Sequence, residues 1–134
     1  MADSFHFSVN IISRGKGKSA VASAAYISGE KIKNEWDGVT HDYTKKQGVI
    51  SKEIYLPDHA PKEYKDRKIL WNSVELFEKN SNAQLARNFI ISLPKELSIE
   101  ENKKMIEEYV QNNFVKEGMI VDLAIHDESR EGNQ

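Results

Sequence analysis

Hydrophobic and polar side chains alternate along four stretches of the chain. A two-residue period is typical of strands that are buried on one face. The predicted strands are residues 4–12, 48–56, 88–94 and 118–127. Between the first two, residues 36–47 contain an Asp-Gly step, which favours a turn or a hairpin over a helix.

Three other stretches carry hydrophobic residues at helical spacing. They predict helices from Ser19 to Ile32, from Pro61 to about Lys79 and from Ser98 to Gly118. In the third helix, Ser98 and Glu101 have the spacing of a capping box. Because the strands alternate rather than being apolar throughout, we expect an α+β domain: a largely antiparallel sheet with helices packed on one face and the other face available.

Composition limits the class of protein. The 134 residues are enough for one domain with its own core, so we expect a single domain over residues 1–134. The chain has no cysteine, which excludes disulfides and thiolate metal sites. It shows neither a secretory signal nor an apolar run that could span a bilayer, so we expect a cytoplasmic protein. The polar residues 127–134 are expected to form a disordered tail.

Charge is distributed unevenly along the chain, although the formal net charge is only -2. Residues 1–52 hold eight Lys and Arg against five Asp and Glu, whereas residues 53–134 hold eleven against sixteen. This polarity favours a local anion site in the first part of the chain over a general coat of basic residues for nucleic acid.

The basic part contains the stretch SRGKGKSAVASAAYISGE, residues 13–30, with one tyrosine, Tyr26. On a helical wheel, Tyr26 shares its face with small residues such as Ala22 and Ser23, which leave room for a bulky group to reach the phenol. Three cations precede the helix, where free N–H groups also favour an anion such as phosphate. These cations are Arg14, Lys16 and Lys18. The alternative is a packing helix whose tyrosine fills a gap in the core.

Three polar residues lie on the polar faces of predicted strands. They are His6, Asn88 and His126. They could project from one face of the sheet if their strands are neighbours, but the strand order cannot be derived from the sequence. A single histidine on a polar strand face is more often solvated or hydrogen-bonded than a ligand, and a catalytic metal needs about three protein ligands.

Several segments in one order resemble the N-terminal relaxase domain of the MobA/MobL family, which includes nicking enzymes of staphylococcal conjugative plasmids. The segments are FHFSVNIISRGKGKSAVASAAYISGEKI, HDYTKKQGVISKEIYLP, DRKILWN, QLARNFIISLP and EGMIVDLAIHD. The resemblance covers essentially the whole chain. It implies a five-stranded antiparallel palm, as in rolling-circle replication initiators.

The resemblance also implies a function. A relaxase cuts one DNA strand at a plasmid transfer origin with a tyrosine and remains attached to the 5′ phosphate, and the family's tyrosine pattern falls on Tyr26. The implied partners are single-stranded DNA of a transfer origin and other mobilisation or coupling proteins, in the bacterial cytoplasm. Arg14, Lys16 and Lys18 would hold the DNA backbone, and Arg87 is a further candidate.

The family is also a histidine-metal enzyme, and its first metal-binding histidine falls on His126. Two more histidines follow in an N-P-H-x-H pattern, and the bound ion, Mn²⁺ or Mg²⁺, would polarise the scissile phosphate. Because the sequence ends at Gln134, before that pattern, we expect an incomplete metal site, a missing last strand beside residues 119–126 and an inactive fragment.

A second departure from the family is Asn88, where related sequences often carry glutamate. The resemblance therefore leaves an alternative open, a non-catalytic module of the same fold that binds single-stranded DNA. A structural or partner-binding α+β domain is the third reading.

Overall fold

The computed structural model describes residues 7–127, and for residues 7–9 it describes the backbone alone. His6 and most of the predicted disordered tail lie outside these residues. The strands are β1 (Phe7–Ser13), β2 (Lys31–Lys33), β3 (Thr40–Asp42), β4 (Val49–Tyr55), β5 (Gln84–Ile91) and β6 (Val121–His126). The helices are α1 (Ala20–Ser28), α2 (Arg67–Phe77) and α3 (Ile99–Val110), and a π-helical turn, Gln111–Val115, extends α3.

All strand pairing within the described residues is antiparallel. β1 pairs with β5, β2 with β3, and β4 with β6. Together with the three helices, this pairing confirms the predicted α+β class. The backbone N–H of Asp127 continues the last pair by donating to the carbonyl of Gly48 at 2.8 Å.

Helices bring the strand pairs together. On α3 and the turn after it, Ile106, Val110 and Val115 form a buried cluster with Ile125 of β6, and Ile91 of β5 packs against the same cluster. α3 therefore covers parts of both the β1–β5 and the β4–β6 pairs. The opposite face of β6 also meets helices. Its side chains Asp122 and His126 form hydrogen bonds with α2 and α1, respectively.

Two helix boundaries differ from the sequence prediction. α1 ends at Ser28 instead of Ile32, because Gly29 adopts a φ of 69° and closes the helix with a left-handed residue. Ile32 is instead the buried residue of β2. α2 begins at Arg67 and not at Pro61, since Asp66 accepts hydrogen bonds from the first N–H groups of the helix.

Of the remaining local predictions, one is confirmed and one is wrong. The capping box of Ser98 and Glu101 is present and confirms the start of α3. β5 begins four residues earlier than predicted, so Arg87 lies inside the strand opposite Ile11 and not at its entrance. The early start of β5 follows from its pairing with β1, which extends to Ser13.

Candidate functional site

Tyr26 lies near the C-terminal end of α1, and half of it is exposed (50%). The opposite side of the helix is buried through Val21, Ala24, Ala25 and Ser28. The partly exposed Ala22 and Ser23 offer little bulk beside the phenol, as the helical wheel predicts. A large group can therefore approach the tyrosine from solvent.

The loop that follows β3 fixes the ring of Tyr26. Tyr43 packs edge-to-face against it, with ring centroids 5.3 Å apart and an interplanar angle of 90°. Lys46 places its Nζ 3.9 Å from the centroid of the Tyr26 ring. Because Tyr43 also packs against the buried cluster of α1 and β2, the loop couples the exposed phenol to the core.

The last turn of α1 is held by side chains from two strands. Nε2 of His126 lies 2.8 Å from the carbonyl oxygen of Ile27, and Nζ of Lys52 donates to the carbonyl of Ser28 at 3.1 Å. The final carbonyls of a helix have no partner within the helix, and basic groups stabilise this end of the helix dipole. β4 and β6 therefore fix the end of the helix that carries Tyr26.

A network of charged side chains lies next to this end of α1. The guanidinium of Arg67 makes two hydrogen bonds to the carboxylate of Asp122, at 2.8 and 2.7 Å, and one to Glu30 at 2.8 Å. Trp71 donates from Nε1 to Asp122 at 2.8 Å, and Lys52 pairs with Glu30 at 2.8 Å. The network joins α2, β4 and β6 to Glu30, which lies between α1 and β2.

Both charges at the centre of the network are buried. The exposed fractions of the Arg67 and Asp122 side chains are 8% and 3%. Burial by itself lowers the pKa of Arg67, but the hydrogen bonds and charges of Asp122 and Glu30 outweigh it and raise that pKa. The arginine therefore stays charged, and the pair fixes β6 relative to α2.

The N-terminal end of α1 is already occupied by a carboxylate. Glu75, which is 1% exposed, accepts hydrogen bonds from the N–H groups of Ala20 at 2.8 Å and Val21 at 3.3 Å and from the hydroxyl of Ser19. The guanidinium of Arg14 pairs with the same carboxylate at 3.0 Å. The N–H groups that we expected to attract a phosphate are thus paired within the protein.

The other predicted cations lie away from Tyr26. Lys16 and Lys18 are exposed before the start of α1. The six-residue separation of Ala20 and Tyr26 corresponds to about 9 Å along the helix axis. Arg87 is exposed on β5. The assignment of these residues, and of Arg14, to DNA binding stays a prediction.

Asn88 lies opposite Asn10 and shares a face of the β1–β5 pair with Ile12. Because Ile12 packs with Ala20 of α1, this face is turned toward the helix of Tyr26. His126 reaches the same helix from β6. The fold therefore brings Tyr26, His126 and the face of Asn88 to α1, whereas His6 lies outside the described residues.

The described residues do not complete a metal site. Within residues 7–127, no three His, Cys, Asp or Glu residues come together in a way that could hold a metal ion. A carbonyl oxygen only accepts hydrogen bonds, so Nε2 of His126 carries the proton in its contact with Ile27. His126 alone is not a catalytic metal centre.

Sequence reasoning missed two residues beside Tyr26. They are Tyr43 and Lys46, which the sequence assigns only to a turn or hairpin over residues 36–47. Tyr43 follows β3, however, and its N–H donates to the carbonyl of Glu30 at 3.1 Å. Gly29 was a local signal for this contact, because it ends α1 at the point where the loop that carries Tyr43 and Lys46 packs against the helix.

The comparisons with known proteins agree on a family. The model of the MobA/MobL family matches residues 18–134. The conjugal transfer protein TraA of Rhizobium radiobacter is 43% identical over 132 residues, which cover 91% of this chain and 12% of that protein. The probable mobilization protein MobA of Bifidobacterium longum is 34% identical over 129 residues, covering 96% of this chain and 23% of that protein.

A solved structure is also similar. It is described as the molecular basis of vancomycin resistance transfer in Staphylococcus aureus, and it matches with a TM-score of 0.87 at 38% sequence identity. The match covers 93% of this chain and 63% of that chain. Of the TraA relative, by comparison, the chain spans only 12% of the length. Within the described residues, no helix is long and apolar enough to cross a membrane.

Proposed function

Because the chain belongs to the MobA/MobL family, we propose that it is the DNA-nicking part of a plasmid mobilisation protein, with Tyr26 as the nucleophile. Its substrate is one strand of a transfer origin. Its product is a protein joined through tyrosine to the 5′ phosphate of the cut strand, which initiates conjugative mobilisation.

The reaction is a transesterification. The phenol oxygen of Tyr26 attacks the scissile phosphorus, a tyrosyl O–P bond forms and the P–O3′ bond breaks. The phenol loses its proton, and the departing 3′ oxygen takes one up to become a hydroxyl. The number of phosphodiester bonds is unchanged, so the strand can be rejoined by the reverse attack without an energy source.

The placement of Tyr26 is the observation that supports this chemistry. The phenol is half-exposed beside small side chains, yet its helix end is fixed by His126 and Lys52 and its ring is held by Tyr43. Nucleophilic attack requires a fixed approach direction to phosphorus as well as access for the substrate. Tyr26 combines these properties.

Single-stranded DNA is the proposed partner. Its backbone would contact the exposed cations Lys16, Lys18 and Arg87, and such binding weakens as salt is added. The guanidinium of Arg14 is bound to Glu75 and stacked on Trp36 at 3.7 Å, so in this arrangement it supports the fold of the loop that carries the lysines. Other mobilisation or coupling proteins are proposed as partners of the whole protein.

The metal requirement rests on the resemblance. His126 is the one proposed ligand within the described residues, and Mn²⁺ or Mg²⁺ would need further ligands from elsewhere in the protein. Adding EDTA to the full-length protein tests the requirement, and adduct formation that survives EDTA would contradict it.

The test of the function uses the full-length protein and a single-stranded oligonucleotide that carries the transfer origin of its own plasmid. Wild-type protein and a Tyr109→Phe control, altered at a similarly exposed tyrosine (43%), should form a covalent adduct on a denaturing gel. Tyr26→Phe should form none. An undiminished adduct in Tyr26→Phe would overturn the assignment.

A non-catalytic DNA-binding module is the second candidate. The observation that favours it is Asn88, whose amide cannot take up a proton as the family's frequent glutamate can. This candidate predicts salt-sensitive binding of the oligonucleotide by the full-length wild-type protein, without an adduct.

A further inference from the structure

Trp36 exposes an aromatic surface in the turn between β2 and β3. The residue is 40% exposed, although tryptophans are highly buried on average in folded proteins. Trp71 packs against two of the buried clusters in the described part of the chain, whereas Trp36 belongs to none of them. The ring of Trp36 therefore serves something other than the core.

Buried polar side chains hold this turn in one conformation. Asn34, which is buried, accepts a hydrogen bond at Oδ1 from the N–H of Trp36 at 3.0 Å. Its Nδ2 donates to the hydroxyl of Ser19, the residue that caps α1, at 3.2 Å. On α2, the buried Asn72 accepts a hydrogen bond from the N–H of Glu35 at 2.7 Å. The backbone that carries Trp36 is therefore attached to both α1 and α2.

Arg14 fixes the indole ring itself. Its Cζ lies 3.7 Å from the ring centroid of Trp36, and its guanidinium also pairs with the buried carboxylate of Glu75. One face of the indole is thus covered by a cation that the protein holds in place. Because Trp36 is exposed in spite of this contact, a large part of its ring is open to a flat group from solvent.

The surroundings of Trp36 favour a nucleobase as that group. Arg14 belongs to the same short helical turn as Lys16, and Lys18 follows that turn. Both lysines are exposed, and so is Lys33, at the end of β2 from which the turn with Trp36 starts. In complexes with single-stranded nucleic acid, cations bind the phosphates while aromatic side chains stack on the bases. An exposed indole in this basic part of the chain offers both kinds of contact.

We propose that Trp36 is a base-stacking site for single-stranded DNA, with the indole on one base and Lys16 and Lys18 on nearby phosphates. The turn also carries Glu35 and Asp37, so Trp36 contributes through its ring and not through charge. Stacking of this kind does not select a particular base. This role rests on the proposed DNA partner of the chain.

The same turn supplies a matched control. Val39 is 48% exposed and is apolar, but it has no aromatic face. Trp36→Leu and Val39→Ala both shorten an exposed apolar side chain of this turn, and only the first removes a surface on which a base can stack. Trp36→Phe is the conservative variant, because it keeps an aromatic ring.

The experiment measures binding of the full-length protein to the transfer-origin oligonucleotide over a series of salt concentrations. Trp36→Leu should weaken binding about tenfold to 100-fold, the range expected for the loss of one stacked base. Its salt dependence should equal that of the wild type, because no phosphate contact is lost, whereas Lys16→Gln should reduce the salt slope by about one. Val39→Ala should bind as the wild type does, and Trp36→Phe should recover most of the affinity. If Trp36→Leu binds as tightly as Val39→Ala, or if it loses salt dependence as Lys16→Gln does, the stacking role is overturned.

A second measurement separates stacking from any change in the folding of a variant. Bases of the oligonucleotide are removed one at a time, and each abasic position keeps its phosphates. At one position, removal of the base should weaken wild-type binding about as much as Trp36→Leu does, and it should have no further effect on Trp36→Leu. If every abasic oligonucleotide weakens binding to the two proteins equally, the stacking role is overturned. A wild-type protein that does not bind the intact oligonucleotide overturns the proposed DNA partner itself, whereas salt-sensitive binding that is indifferent to Trp36 overturns only the role of the tryptophan.

Discussion

Nε2 of His126 lies 2.8 Å from the carbonyl oxygen of Ile27, the residue that follows Tyr26. The contact joins the end of β6 to the last turn of α1, two elements that are 99 residues apart in sequence. The proposed metal-binding histidine thus has a second function. It satisfies a helix-end carbonyl and so fixes the distance between its own strand and the helix that carries Tyr26.

Replacing His126 with alanine should destabilise the domain as well as impair the proposed nicking reaction. The carbonyl of Ile27 would lose its side-chain partner, which should lower the free energy of unfolding by about 1 kcal/mol. Urea denaturation at neutral pH measures this loss. The matched control is His59→Ala, a substitution at an exposed histidine, which should change stability by less than about 0.5 kcal/mol. Equal stability of the two variants would show that the contact contributes nothing.

Replacing Arg67 with methionine should be far more costly. The carboxylate of Asp122, which is 3% exposed, would keep the hydrogen bond from Trp71 but lose its charged partner. Breaking one side of a buried ion pair costs about 3–5 kcal/mol. Urea denaturation of the single variant and of the double variant Arg67→Met, Asp122→Asn tests the reason, because the double variant should recover much of the loss. A double variant no more stable than the single one would contradict the explanation.

Local patterns predicted much of the fold. Alternation located β1, β4, β5 and β6, and the Ser98 capping box located the start of α3. The helical wheel placed Tyr26 on a face of small residues, and that face is exposed. These features depend on residues that are close together in sequence, so the sequence carries their signal directly.

The surroundings of Tyr26 depend on distant residues. Arg14 and Glu75 are 61 residues apart, and Arg67 and Asp122 are 55 apart. Nothing in a local pattern tells a buried charge pair from two solvated charges, so Arg14 was read as a phosphate-binding residue alone. The helix predicted from Ser19 to Ile32 is too long for a different reason. Ile32 continues the apolar pattern, although the left-handed Gly29 lies between it and the helix.

Replacing Glu75 with alanine should weaken the start of α1. The variant would leave the Arg14 guanidinium, whose side chain is 11% exposed, without its carboxylate and would remove the partner of the Ala20 N–H. We expect a loss of about 3 kcal/mol in the free energy of unfolding. Glu75→Gln should lose less, because its amide oxygen can still accept from the helix. A Glu108→Ala control, at an exposed position of α3, should be nearly neutral, and a loss equal to that of Glu75→Ala would contradict the role of the buried carboxylate.

Tyr55 should make the domain sensitive to alkaline pH. Burial raises the pKa of its phenol, and the hydrogen bond at 2.7 Å to Glu107 raises it further. Because the pKa of the folded state exceeds the unfolded value of about 10, the resulting stability is fully present below that pH. It is lost as the pH rises further, since the unfolded chain releases the proton while the folded chain retains it.

The measurement compares urea denaturation at about pH 8 and about pH 11, on either side of the unfolded pKa. The wild-type free energy of unfolding should fall more between these conditions than that of Tyr55→Phe, which has no phenol to titrate between β4 and α3. The control is Tyr64→Phe, which removes a different phenol and keeps the hydrogen bond from Tyr55 to Glu107. It should therefore retain the wild-type decline. An identical decline in wild type and Tyr55→Phe would show that ionisation of Tyr55 is not linked to unfolding. If the decline depends on Tyr55, the contact between β4 and α3 is part of the folded domain in solution.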